Sequence, residues 1–384
     1  MSGIFESLLR VFYLLKGVWA VLAALLVGSW LIWLAGANPI FAYQALFGGA
    51  FLEYHGFAST LVKMSPILLA GLAVALPLRA GLFNVGAEGQ IYLGGLFASW
   101  AALYLPAMPS PIHIFVCSIA GMVGGGLWGL IPGYLRAHHN INEVIVTLLM
   151  NYIAINLVSY FVSGPMLAEN APYPYSDEIS PELWLPHIMP RTDAHIGVVI
   201  GLILAVLLYI VFKRTPMGLS LSVVGDNPAA ARYAGLPVKR YVVLSLMMGG
   251  AFAGLAGAYE VLGLKYRLFH LFSAGYGFDG LVVALIAAGN PLFVAVTSLF
   301  LAGLSSGANI MQRAVGVPVT VVEAIQGLVI IFVAASMAFR YETSALARVL
   351  YRRKQIDTDL QAEKRPQRTK MSASSKGKND GTAD

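Results

Sequence analysis

Ten apolar stretches alternate with polar connectors along the chain. They lie near residues 18–36, 58–78, 86–105, 112–131, 143–163, 195–212, 241–262, 277–289, 291–305 and 320–339. Most approach the roughly 20 residues that a helix needs to cross a hydrocarbon core about 30 Å thick. The pattern predicts an all-α polytopic transmembrane helical bundle of about ten spans, with eight as the lower bound. The eighth and ninth stretches are short. Pro291 has no backbone donor and disfavours helix at Asn290, so Gly289, Asn290 and Pro291 read as a break between two spans.

Composition supports the bilayer as solvent. Hydrophobic residues make up 58% of the 384 positions and charged residues 11%, whereas soluble domains carry about 25% charged residues. Cys117 is the single cysteine, which excludes an intrachain disulfide and a thiolate metal site. His138 and His139 are adjacent and lack a fitting third ligand nearby, so neither metal nor cofactor is expected.

The net charge of +6 does not point to nucleic acid, because its position explains it. From Arg340 to Asp384 there are eleven Lys/Arg against six Asp/Glu. Residues 1–340 therefore read as a transmembrane domain and 341–384 as a basic, solvated, disordered cytoplasmic tail, free to meet anionic lipid. With the N-terminus inside, twenty basic residues fall on the cytoplasmic side. Five fall outside: Lys63, Arg191, Lys265, Arg267 and Arg313. This asymmetry predicts both termini in the cytoplasm of a multi-pass inner-membrane protein. The apolar run from Gly17 to Ala35 is longer than the roughly 7–15 residues of a signal peptide core, so it reads as an uncleaved first span.

Two connectors stand out. The outer one, 164–194, carries six prolines with Trp184 and several tyrosines; it reads equally as a docking surface or as a cap over the bundle. In the inner one, 213–240, Asp226 or Asn227 can N-cap a helix, Pro228 suits its first turn, and Gly235 followed by Pro237 can stop it. Such a helix of about two turns is marginal alone in water. It either packs on its own bundle or offers itself to a cytoplasmic subunit.

Polar residues at membrane depth are the candidate chemistry. Gly81, Gly86 and Gly89 permit unwound backbone or close helix approach, and Asn84, Glu88 and Gln90 bring donors and acceptors into the bilayer. Asn151, Asn156, Glu260, Glu323 and Gln326 add to them, with Glu323 and Gln326 on one helical face. These groups either line a path for a polyhydroxylated substrate or bond helix to helix. Gly121, Gly125 and Gly129, like Gly250, Gly254 and Ala258, form small-residue strips for close packing. Gly81, Asn84 and Gly86 find an echo in Gly275, Asp279 and Gly280, which suggests an inverted repeat of spans two to five and seven to ten.

The segment Arg214 to Gly235, with Gly218, Gly225, Asn227, Pro228 and Ala230, resembles the cytoplasmic loop of permeases in the branched-chain amino acid, ribose and simple-sugar group of ABC importers. The segment Arg79 to Gln90 is similar to the corresponding place in the nucleoside and simple-sugar permeases of that group. The resemblance runs from about Leu61 to Ala338. It implies that Gly225, Asn227, Pro228, Ala230 and Gly235 form a coupling helix contacting ATP-binding subunits. It also implies a second permease subunit, identical or paralogous, and a substrate-binding protein outside. The substrate implied is a nucleoside first and a simple sugar next, with Asn84, Glu88, Gln90, Asn151, Glu323 and Gln326 as pathway residues.

The chain has no phosphate-binding loop of the G-x-x-x-x-G-K-[ST] type in a segment expected to fold, so ATP hydrolysis is expected on a partner and the chain is not read as an enzyme. The competing function is a self-sufficient secondary transporter in which Glu88, Glu260 or Glu323 couples protons or sodium. A membrane enzyme lacks a constellation of nucleophile, base and metal.

Overall fold

The computed structural model describes residues 16–169, 171–329 and 331–332. The tail expected over 341–384 and the far end of the tenth apolar stretch lie outside the described residues. Residues 22–330 form one compact unit.

Among the described residues the secondary structure is helical apart from two isolated bridges. In chain order the helices are α1 (Lys16–Leu34), α2 (Pro39–Phe51), α3 (Tyr54–Arg79), α4 (Ala87–Tyr104), α5 (Ser110–His139) and α6 (Glu143–Ser163). After the outer loop come α7 (Gly197–Arg214), α8 (Pro216–Asp226), α9 (Pro228–Tyr233) and α10 (Val238–Glu260), which continues as a π turn (Val261–Lys265). Then follow α11 (Tyr276–Ile286), α12 (Pro291–Val315) and α13 (Val319–Val329). Among the described residues six helices can cross a membrane by length and composition: α3, α5, α6, α7, α10 with its π turn, and α12. A seventh crossing results if α1 and α2, bent by 117°, count as one.

Each apolar stretch of the sequence corresponds to a helix, but two elements do not follow from the apolar pattern. The first is α2, which begins where Asn38 Oδ1 accepts from Ile40 N at 2.9 Å, with Pro39 in the first turn. Tyr43 then ties it back to α1, its hydroxyl donating to Leu25 O at 2.6 Å. The second is α8, capped by Thr215 through Gly218 N. The break before Pro291 is present: Ala288 and Gly289 take positive φ, and Asn290 caps α12 through Leu292 N. α12 then runs on to Val315, because its second half is amphipathic rather than apolar.

Helix α3 is the axis of the bundle, with 83% of its apolar window buried, and it packs against α10, α11 and α12. By contrast, α6 and α7 bury only 28% and 33% of theirs. Their remaining apolar surface suits lipid. The two small-residue strips meet inside the chain. A Cβ on Gly254 of α10 would overlap the carbonyl oxygen of Gly121 on α5, and one on Gly94 of α4 would overlap Gly254 itself. Three helices thus touch backbone to backbone, the contact that small residues allow in lipid.

The loop over 164–194 folds down as a cap on the segment after α10. Ser176, Ile179 and Leu185 donate backbone hydrogen bonds to Leu268, Tyr266 and Leu262. Trp184 stacks on Tyr266 with ring centroids 3.9 Å apart, and Arg267 pairs with Glu178 at 2.6 Å. Ile179 is fully buried beneath it. At the edge of this cap His195 packs its ring on Gly263 and accepts from Gly197 N through Nδ1 at 3.2 Å. Burial, helped by the nearby His187, holds its pKa at about 4 rather than 6.5.

The neutral imidazole is therefore the folded form. Its contribution to stability is complete above about pH 6.5 and is lost as pH falls towards 4, about 3 kcal/mol at full extent. His195→Asn keeps an acceptor but cannot titrate. Thermal melting of the detergent-purified protein between pH 7.5 and 4.5 is expected to fall less steeply in the variant, and parallel profiles would refute this role.

Candidate functional site

Helix α11 has eleven residues, a rise of about 16 Å, or roughly half a hydrocarbon core. An apolar helix this short that enters a bilayer ends inside it, where orphan backbone groups are costly. The Glu88 carboxylate, from the first turn of α4, meets this need: its Oε2 accepts from Gly277 N at 2.7 Å. The two helix starts come so close that a Cβ on Gly277 would overlap Glu88 N.

Asn84 solves a related problem. Pro77, inside α3, cannot donate to the carbonyl of Ala73, and Asn84 Nδ2 donates to that oxygen at 3.2 Å and to Gln90 Oε1 at 2.8 Å. Its Oδ1 accepts from Gly86 N and from Gln90 Nε2. Asn151 of α6 closes the turn from the other side, accepting from Gly89 N at 2.8 Å and donating to Val85 O at 2.9 Å. Asn84, Glu88, Gln90 and Asn151 are thus brought together, buried and mutually or backbone bonded, around the entry to α4.

Glu323 and Gln326 lie elsewhere, in the wall of a cavity of about 300 Å³ formed by α3, α11, α12 and α13. Gln326 Nε2 donates to Ser305 Oγ at 3.0 Å. Lys63, Tyr276, Asp279 and Asn309 complete the polar lining. Lys63 and Tyr276 also wall a second cavity of about 430 Å³ that reaches Arg191 and Asp193 of the outer loop. Asn309 borders a third, of about 490 Å³, with His55 and Arg313. Three recesses sharing walls therefore surround the N-terminal half of α3.

The apolar pattern missed Lys63, Tyr276, Asp279, Ser305 and Asn309. Two signals carry three of them. Lys63 is a lone cation within an apolar stretch, and Ser305, Asn309 and Arg313 recur at i, i+4 on one face of α12. Glu260 stays outside these recesses, buried at the head of the π turn with Lys265 Nζ 3.9 Å from its carboxylate. Asn156 bonds within its own helix, donating to Tyr152 O.

The short inner helix is present as α9. Asn227 Oδ1 accepts from both Ala229 N and Ala230 N at 3.0 Å. At the other end Gly235 takes φ +79°, where a side chain would be strained. Gly235 N donates to Arg232 O and Leu236 N to Ala231 O, the paired bonds of a Schellman stop. Ala231 is fully buried, while Pro228, Ala230 and Tyr233 are exposed. Gly225 lies against the turn after α3, where a Cβ would sit 2.6 Å from Arg79 O. The end of α8 is therefore seated against the turn after α3, and α9 packs by one face on α8 and the start of α10 and is open on the other.

Residues 56–334 match the family described as branched-chain amino acid transport system, permease component. The chain is 36% identical over 336 residues to the guanosine ABC transporter permease protein NupP of Bacillus subtilis, covering 86% of this chain and 96% of that one. It is 36% identical to the glucose ABC transporter permease protein TsgB13 of Haloferax volcanii, covering 84% and 87%. The nucleoside ABC transporter permease protein NupB of Lactococcus lactis is 32% identical, covering 82% and 89%.

Proposed function

This chain belongs to the permease-component family of branched-chain amino acid transport systems, and we propose that in its role as an ABC importer permease it carries nucleosides into the cell, with simple sugars the next class. It is a multi-pass protein of the inner membrane. Substrate arrives from an extracytoplasmic binding protein, and separate ATP-binding subunits drive the cycle through the exposed face of α9, with Gly225, Asn227, Pro228, Ala230 and Gly235 forming and seating that helix. A second permease subunit completes the pathway.

The observation that carries the substrate reading is the polar cavity between α3, α11, α12 and α13. Its carboxylates, amides, hydroxyl and ammonium can replace the water lost by a polyhydroxylated molecule. Glu323 and Gln326 line the path. Asn84, Glu88, Gln90 and Asn151 act beside it by holding the starts of α4 and α11.

Ten crossings with both ends cytoplasmic suit this role: the six long apolar helices, the bent α1–α2 pair, the less apolar α4, and α11 and α13 as shorter elements. The meeting of the α4 and α11 starts at Glu88 and Gly277 supports an inverted repeat. Residues 1–340 make the permease domain and 341–384 a cytoplasmic extension.

Reconstitution with the ATP-binding subunits and binding protein tests the whole reading. ATP-dependent uptake of guanosine is expected. Uptake by this chain alone, driven by an ion gradient, would replace the importer reading with that of a secondary transporter.

A further inference from the structure

Resting on the nucleoside reading, we propose that Lys63 and Asp279 form a base-reading pair. They would select nucleosides whose base presents a ring carbonyl beside a ring N–H over those presenting an amino group beside an unprotonated nitrogen.

A lysine half-buried in the central helix of a membrane bundle needs a reason, since its charge is costly at that depth. Packing does not supply one. Lys63 Nζ donates to a single backbone carbonyl, Ser305 O, at 2.9 Å. An ammonium has three donors, and Lys63 lines the two cavities on either side of it. Asp279 lines one of them from the first turns of α11. Among the described residues no ion pair joins it to Lys63. Cation and carboxylate thus face one space and attract across it, with no hydrogen bond or contact ion pair between them among the described residues, which leaves both with bonding capacity for a guest.

Their chemistry is complementary to a lactam edge. The ammonium donates to a ring carbonyl, as lysine does to guanine O6. The carboxylate accepts from the neighbouring ring N–H, and for guanine from its amino group too. Hypoxanthine and uracil offer the same adjacent pair of carbonyl and N–H. Adenine and cytosine reverse it, turning an amino donor towards the ammonium and a bare nitrogen towards the carboxylate. A site built to bond one pattern rejects the other because its own polar groups are left unpaired. Ile67, Val319 and Val322 supply apolar wall for the faces of the base. The cavity of about 300 Å³ stands at the lower end of the ligand-site range of about 300–1,000 Å³.

The test uses the complete transporter in proteoliposomes with its binding protein, measuring uptake of inosine against adenosine and of uridine against cytidine. The delivery protein is identical in every sample, so a change in either ratio reports on the permease. The native protein is expected to favour inosine and uridine by about tenfold or more. Lys63→Met is expected to bring both ratios close to one, chiefly by lowering uptake of inosine and uridine. Lys63→Gln, which keeps a donor, is expected to fall between. Should Lys63→Met not accumulate, Lys63→Gln and Asp279→Asn carry the measurement, each with a reduced ratio. Unchanged ratios in folded variants would overturn the base-reading pair and leave nucleoside transport standing. No uptake of any nucleoside by the native complex, with sugar uptake in its place, would overturn the nucleoside reading and this pair with it.

Discussion

Gly254→Leu is expected to leave no stably folded permease in the membrane. At this position α10 meets α5 and α4 with no side chain between them: a Cβ would overlap the Gly121 carbonyl, and α4 offers only Gly94 opposite. Overpacking usually costs about 1–3 kcal/mol because neighbouring side chains can shift. Here the obstacles are backbone atoms of two helices, which move only if the helices separate, so the cost is expected to exceed that range. Against a total stability of about 5–15 kcal/mol that is a large share. Thermal unfolding of the detergent-solubilised protein, or its yield in a monodisperse form, reads the effect. Gly48→Leu is the control, since a Cβ there meets nothing within 4 Å. A melting temperature for Gly254→Leu within about 2 °C of native would mean that the three helices are not in backbone contact.

The second large effect is expected at Ala230, on transport rather than on folding. Ala230 is exposed while its neighbour Ala231 is fully buried. Ala230→Glu also places an acidic residue in the first turn of α9, where it favours the helix. The variant should therefore fold, but it sets a bulky charge in the surface proposed to seat the ATP-binding subunit. Loss of a central interface contact costs about 2 kcal/mol or more, roughly thirtyfold in affinity. ATP-driven uptake and co-purification with the ATP-binding subunit are both expected to collapse, with the melting temperature retained. Normal co-purification would remove α9 as the coupling element.

The two substitutions mark the difference between what is local and what is distant in this chain. The ends of α9 were legible because a cap needs only the chain within a few residues of it: Asn227 bonds Ala229 and Ala230, and Gly235 closes onto Arg232. The break at Asn290 and Pro291 was legible for the same reason. Helix α2 was not, because its turn away from α1 is held by Tyr43 reaching Leu25, a tertiary contact. The second half of α12 was obscured by its own polar face, which hides a helix from any reading that follows apolar runs.

The candidate polar residues divided in a similar way. Asn84, Glu88, Gln90 and Asn151 stand out in the sequence as polar groups beside or within apolar stretches, and in the structure all four are buried. What each does there depends on partners far along the chain: Glu88 bonds a residue 189 positions away and Asn151 one 62 positions away. Lys63 drew attention only as one of the outer charges, and its place beside Asp279, Glu323 and Gln326 required four helices to converge.

Residence in the bilayer, the helical class, the inner short helix and its stops were determined by the sequence alone. Partition into lipid and helix capping act through composition and near neighbours, and both can be read from a window of residues. The tertiary structure alone decided which polar groups are spent on helix ends and which face a cavity. That choice depends on donors and acceptors from remote segments meeting within hydrogen-bond distance at a depth where water cannot substitute.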